Sequence, residues 1–190
     1  MTPRKGKGAR VVVVAEDERL RTFARKTLEA FGFARREIYE RMDHPKEGAG
    51  SGKQYVENKS VEEYKAYRSK SSRGENVALI LATDADEQTV PDRAKKLDQQ
   101  LSAAGLQRNA NDAVPYWIPK WHVETWGLHL TGMAVDEQTN YKNQSGGIDW
   151  RNAPRNFVGE YRKYRQSGAQ PFDSLPSLLV AYQETARMGV

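Results

Sequence analysis

Ala78-Leu79-Ile80-Leu81-Ala82-Thr83-Asp84-Ala85-Asp86-Glu87 is a short apolar run that ends in two carboxylates two residues apart. A second run of the same kind, Val11-Val12-Val13-Val14-Ala15, ends in Glu16, Asp17 and Glu18. Continuous apolar runs, each followed by a helical pattern, predict parallel strands buried on both faces of a sheet. Ligands and catalytic groups of such sheets gather beyond the carboxyl ends of the strands. If the two strands are neighbours, Glu16, Asp84 and Asp86 meet there as hard oxygen ligands. That chemistry suits Mg²⁺ or Mn²⁺ better than zinc.

Outward from these strands, a helix is expected from about Glu18 to Phe31, with Leu20, Phe23, Leu28 and Phe31 on one face and Gly32 as its stop. A second strand is expected over Glu37 to Met42. Past Asp84 and Asp86, Pro91 and Asp92 open a helix whose buried stripe is Ala94, Leu97, Leu101 and Ala104, ended by Gly105. Arg93 falls in its first turn, near the strand end. Ala113 to Ile118 reads as a further strand, closed by Pro119, with a helix from near His122 to Gly132. Lys120 and Glu124 therefore belong to the same edge of the sheet as the carboxylates. Later helices are expected near Asn156–Arg165 and Ser174–Met188.

Two segments between these elements carry positive charge. His44 to Gln54 is glycine-rich and reads as irregular, and its spacing rejects a P-loop. The position of that motif's first glycine is held by Glu47, and Gln54 stands where the motif needs a hydroxyl. Ser51 and Lys53 still fit either a backbone nest for an anion or a plain surface loop. Residues 56–72 read as a polar helix in which Lys65 and Arg68 alternate with Tyr64 and Tyr67. That pattern fits a nucleic-acid surface or a solvated face. Ser51, Lys53, Lys65, Arg68 and Arg93 are the expected nucleic-acid contacts.

The chain has 190 residues, enough for one domain, with 38% hydrophobic and 29% charged residues. A net charge of +5 favours an anionic partner, nucleic acid or nucleotide. There is no cysteine, which excludes disulfides, thiolate metal sites and cysteine nucleophiles. The basic start, residues 1–9, reads as a flexible arm with no signal-type apolar segment after it, and no stretch is long enough to span a membrane. The expected compartment is the cytoplasm. The expected organisation is the arm, an α/β domain over residues 10–132 with a Gly-rich and basic insertion at 44–73, and a helical extension over 133–190 packed on that domain.

A Glu after the first strand followed by Asp-x-Asp after a later one resembles the Toprim domain of topoisomerases, primases and OLD-type nucleases. Ile118-Pro119-Lys120 with Glu124 and Trp126 looks like the C-terminal element of small Toprim-like proteins found beside ATPases in bacterial anti-phage systems. The resemblance implies a Rossmann-like, mostly parallel sheet flanked by helices and a Mg²⁺- or Mn²⁺-dependent nuclease centre. Glu16, Asp84 and Asp86 would be its metal ligands and acidic machinery, and Lys120 and Glu124 the supporting catalytic pair. It also implies antiviral defence under the control of a partner ATPase, and it admits self-association. The glycine that usually follows the first Glu is replaced here by Asp17.

The acidic start Glu16-Asp17-Glu18 also looks like that of a response-regulator receiver. Asp84 would then be the phosphoacceptor and Lys120 the lysine of a late strand. Against this, sixty-seven positions separate Asp17 from Asp84, and Asp86 has no role. A third reading keeps the fold without the chemistry, as a non-catalytic subunit that binds an ATPase.

Overall fold

The computed structural model describes residues 9–42, 52–167 and 175–190. Among them, strands β1 (Arg10–Ala15), β2 (Ile38–Met42), β3 (Val77–Ala82) and β4 (Tyr116–Trp117) form one sheet. All pairings are parallel and the spatial order is β2-β1-β3-β4. The expectation of an α/β fold with a parallel sheet flanked by helices therefore holds.

The strands behave as their composition dictates. Every residue of β3 is buried, and β1 is buried apart from Arg10 and Val12. Such strands need cover on both faces. Helix α1 (Glu18–Phe31) follows β1, and α2 (Gly52–Ser72) leads into β3 on the sheet's other face beside α3 (Val90–Ala103). Helix α4 (Val123–Leu130) and helix α5 (Ala153–Ser167) join the α1 layer. Phe157 of α5 stacks edge-on against Phe23 of α1 at 5.9 Å, and α6 (Pro176–Thr185) adds Tyr182 at 4.9 Å from Phe157. Buried aromatics of this size each contribute on the order of 1.5–3 kcal/mol.

Local signals set the boundaries. Asp17 caps α1 by accepting from Leu20 N at 2.8 Å, and Gly32 ends the helix at φ 99°. Two boundaries differ from expectation. Strand β4 is much shorter than 113–118, although the chain runs beside β3 for that whole stretch. The N–H groups of Leu79, Leu81, Thr83 and Ala85 donate to Ala113, Pro115, Trp117 and Pro119 in turn. Pro115 and Pro119 have no N–H to return, so the ladder is one-sided on either side of the short paired stretch Tyr116–Trp117. Helix α6 covers the outer side of this strand, where Glu184 accepts from Tyr116 N at 3.0 Å.

The second difference is the start of α2. It is helical from Gly52, inside the stretch read as irregular. Ser51 and the preceding glycines lie outside the described residues, as does most of the basic arm.

Candidate metal centre

β1 and β3 are neighbours, and the chain leaves their carboxyl ends toward opposite faces of the sheet. The layer over one face holds α1, which follows β1, while α2 and α3 cover the other. This is the crevice in which open α/β sheets bind ligands. Glu16 is the first residue after β1, and Thr83 and Asp84 are the first two after β3. The close register brings them together. Glu16 Oε2 accepts from Thr83 Oγ1 at 2.6 Å and from Asp84 N at 3.1 Å.

Asp84 is the centre of the constellation. Its residue is 3% exposed, Oδ2 lies 2.8 Å from His122 Nδ1, and Oδ1 is buried without a hydrogen-bond partner. Burial pushes its pKa up to about 7; the His122 contact opposes the shift, and the charges of Glu16 and Asp17 add to it. Asp86 completes the cluster. Ligand atoms of Asp84, Asp86 and His122 lie within 4.8 Å of one another. Among the described non-glycine residues, Asp86 alone has a positive φ, 52°. The turn is held by Lys120, whose ammonium donates to the carbonyls of Asp86 and, at 2.9 Å, Gln88.

These donors fit a divalent cation. A buried carboxylate oxygen without a donor is costly, and a cation within reach of two carboxylates and an imidazole removes that cost. The imidazole broadens the expected all-oxygen ligand set toward Mn²⁺. His122 was not among the residues expected from sequence. It is the residue before α4, in extended conformation and without a capping bond from its side chain, so the ring is available to Asp84. Its one sequence signal is its place, two residues after Lys120 at the edge where the carboxylates gather.

The other expected site residues divide. Lys53, in the first turn of α2, forms an ion pair with Asp86. A depression of about 350 Å³ beside this pair is lined by Lys53, Asp86, Glu87, Gln88, Trp121 and Asn140. Lys120 is tied to backbone carbonyls, so it positions Asp86 rather than facing a substrate oxygen. Glu124 is buried and paired with Arg19, outside the ligand cluster. Arg93 corrects an expectation outright. It is 1% exposed, donates to Thr83 Oγ1 at 2.9 Å and pairs with Glu57. In that place it cannot meet a phosphate; it holds the threonine that holds Glu16. Lys65 is twelve residues beyond Lys53 on α2, on the order of 18 Å along the axis. Arg68 lies farther still, beside Tyr64 and Asp112. Neither belongs to the edge of the sheet that carries the carboxylates.

No protein-family model, curated protein or solved structure matches this chain. No helix among the described residues is long and apolar enough to cross a membrane.

Proposed function

We propose that this chain is a divalent-cation-dependent hydrolase of phosphodiester bonds in nucleic acid. The observation that carries the reading is the Asp84 carboxylate, buried at the crevice between β1 and β3 with one oxygen lacking any donor, and with Asp86 and His122 within ligand distance. Asp84, Asp86 and His122 would hold the cation, Mg²⁺ or Mn²⁺. When bound, it would supply charge for a phosphoryl oxygen and lower the pKa of a bound water. Glu16, held by hydrogen bonds from Thr83 Oγ1 and Asp84 N, would take a proton from the attacking water. Lys53 is the cation at the mouth of the adjoining depression, and it would pair with a phosphate once Asp86 is engaged elsewhere. Trp121, with the Lys120 ammonium 4.4 Å from its ring centre, also lines that depression and would contact a base.

The resemblance of Glu16, Asp84, Asp86 and residues 118–126 to Toprim-like proteins supports the same chemistry. It adds a role as a cytoplasmic anti-phage effector held in check by a partner ATPase. The test is cleavage of supercoiled plasmid, linear DNA and total tRNA with Mg²⁺ or Mn²⁺, with and without a neighbouring ATPase, for the wild type and Asp84→Ala/Asp86→Ala. Cutting that vanishes in the double variant is the expected result. A folded protein that cuts none of these under any condition removes the reading.

The strand order favours one competitor, since receivers share it. A receiver's Asp84 would accept phosphate from a small phosphodonor such as acetyl phosphate. Its 3% exposure and the contact with His122 oppose that role.

A further inference from the structure

The outer side of α1 carries a groove that the metal centre does not use. A depression of about 220 Å³, lined by Arg19, Phe23 and Trp150, adjoins one of about 360 Å³, lined by Arg151, Pro154 and Arg155. Lys26 lines both. From Arg19 to Ala30 the groove follows α1 for on the order of 16 Å. Its upper end lies in the first turn of α1, three residues after Glu16, at the edge of the sheet that bears the carboxylates.

The wall that carries Trp150 is built to hold its ring in place. Gly127 of α4 has no side chain where a Cβ would come within 2.8 Å of Ile148 Cγ2 and 3.2 Å of Trp150 Cη2, so Ile148 and the tip of the indole both pack close to the helix. Lys26 Nζ donates to Trp150 O at 3.3 Å. Asp149 accepts from Arg151 N at 2.9 Å and Asn152 N at 3.1 Å, which fixes the turn into α5. A half-buried indole held this way keeps part of its surface toward the groove.

Cations outnumber acids in the groove's lining, Arg19, Lys26, Arg151 and Arg155 against Glu18 and Glu29, and both acids are paired with neighbouring arginines. Glu18 pairs with Arg21 at 2.5 Å, Glu29 with Arg25 at 3.1 Å, and Arg19 with Glu124. Lys26, Arg151 and Arg155 remain, with no carboxylate at ion-pair distance among the described residues. Three cations along a track beside a fixed aromatic ring are what an unpaired strand needs, phosphates for the cations and a base for the ring.

We infer that this groove binds a single strand of nucleic acid, with a base stacked on Trp150 and its phosphates on Lys26, Arg151 and Arg155, and leads that strand to the candidate metal centre. The inference rests on the nuclease reading for its destination but not for its binding. A stacking platform needs a base already out of a duplex, so unpaired strands are the occupant. An acidic peptide would satisfy the cations and leave the ring without a partner.

The test is fluorescence anisotropy with labelled oligo(dT), oligo(U) and a duplex of equal length. It uses the full chain carrying Asp84→Asn, in EDTA, so that cleavage plays no part. Single strands should bind more tightly than duplex, and the better of the two sugars names the substrate class. Trp150→Ala should weaken binding about tenfold while Trp150→Phe keeps most of it. Lys26→Gln/Arg151→Gln/Arg155→Gln should flatten the salt dependence of log K by about 2. Binding in this assay by a protein whose wild type never cuts leaves the inference standing and removes the nuclease reading. Equal binding of duplex or of polyglutamate, or a folded Trp150→Ala variant with unchanged affinity, overturns the inference.

Discussion

The two ends of α2 carry similar residues in sequence and opposite conditions in the structure. Near its end, the Tyr64 hydroxyl lies 2.5 Å from both the Asp112 carboxylate and the Gln107 carbonyl. Asp112 also accepts from Asn109 N at 2.7 Å, and the Tyr67 hydroxyl accepts from Ala113 N at 2.8 Å. Acid, phenols and backbone satisfy one another there, and the network fastens α2 to the approach to β4. At its start, α2 meets Glu16 through Gly52 and Asp86 through Lys53, around a carboxylate with an oxygen left over. Of the buried unpartnered polar atoms among the described residues, Asp84 Oδ1 is the only one on a carboxylate. A charged group whose bonding is complete is architecture; one whose bonding lacks a cation is a site.

The largest effect expected from this contrast is at Asp84. Asp84→Asn should lower cleavage about a thousandfold or more, the kinetic equivalent of the several kcal/mol that a held cation supplies. The same change should stabilise the metal-free protein. Burial lifts the folded-state pKa to about 7 from 3.8, so the folded protein holds a proton that the unfolded chain releases. The contribution of Asp84 to stability is therefore full below about pH 4 and is lost as pH rises to about 7, by on the order of 4 kcal/mol at most. Thermal unfolding in EDTA from pH 4 to 8 should show it as a wild-type Tm that falls relative to that of Asp84→Asn as pH rises. Mn²⁺ should raise the wild-type Tm at pH 8 and leave the variant unmoved. Asp112→Asn should instead lower Tm at every pH and leave the response to Mn²⁺ intact. An Asp84→Asn variant that still cuts would erase the distinction between the two ends.

Both carboxylates at the end of β3 were legible in sequence because an apolar run buried on both faces places whatever follows it at the sheet's edge. The helix faces were legible for a related reason, since Leu20, Phe23, Leu28 and Phe31 recur at helical spacing and all four are buried. His122 was not, because a single histidine after Lys120 and Trp121 has no period and no partner motif. Its role exists only once β4 is set beside β3. Arg93 shows the limit from the other side. Its first-turn position was correctly located near the strand end, but sequence gives no sign that Glu57 of α2 closes over it. Strand β4 was readable as an extended segment, while its loss of ladder bonds depends on Pro115 and Pro119 facing β3.

The next effect concerns which cation the site prefers. His122→Ala should weaken Mn²⁺ binding about tenfold or more and Mg²⁺ binding less, because imidazole is a better ligand for the softer ion. Calorimetric titration of both metals checks it. Equal losses for the two would mean that His122 acts on Asp84 and not on the cation. Lys53→Met should act in the opposite direction on binding. The pair it makes with Asp86 is about one-third exposed on each side, worth at most about 1 kcal/mol. Its removal should tighten metal binding up to about fivefold without nucleic acid. If Lys53 also meets phosphate, cleavage falls in the same variant, and that split between binding and turnover is what separates it from a surface lysine.

The smallest expected effect is the one that most directly probes the far end of α2. Lys65 and Arg68 are exposed, and Arg68 lies 3.8 Å from Asp112, so its pairing is weak and solvent-screened. Lys65→Gln/Arg68→Gln should cost less than about 1 kcal/mol of stability. Because these residues sit several turns from Lys53, cleavage and Mn²⁺ affinity should stay within about twofold of the wild type, a difference within the scatter of ordinary surface substitutions. A severalfold loss of cleavage with unchanged metal binding would instead show that substrate follows α2 along its length. The tyrosine network would then be fastening a binding face as well as a strand, and internal satisfaction would cease to mark a region as architecture alone.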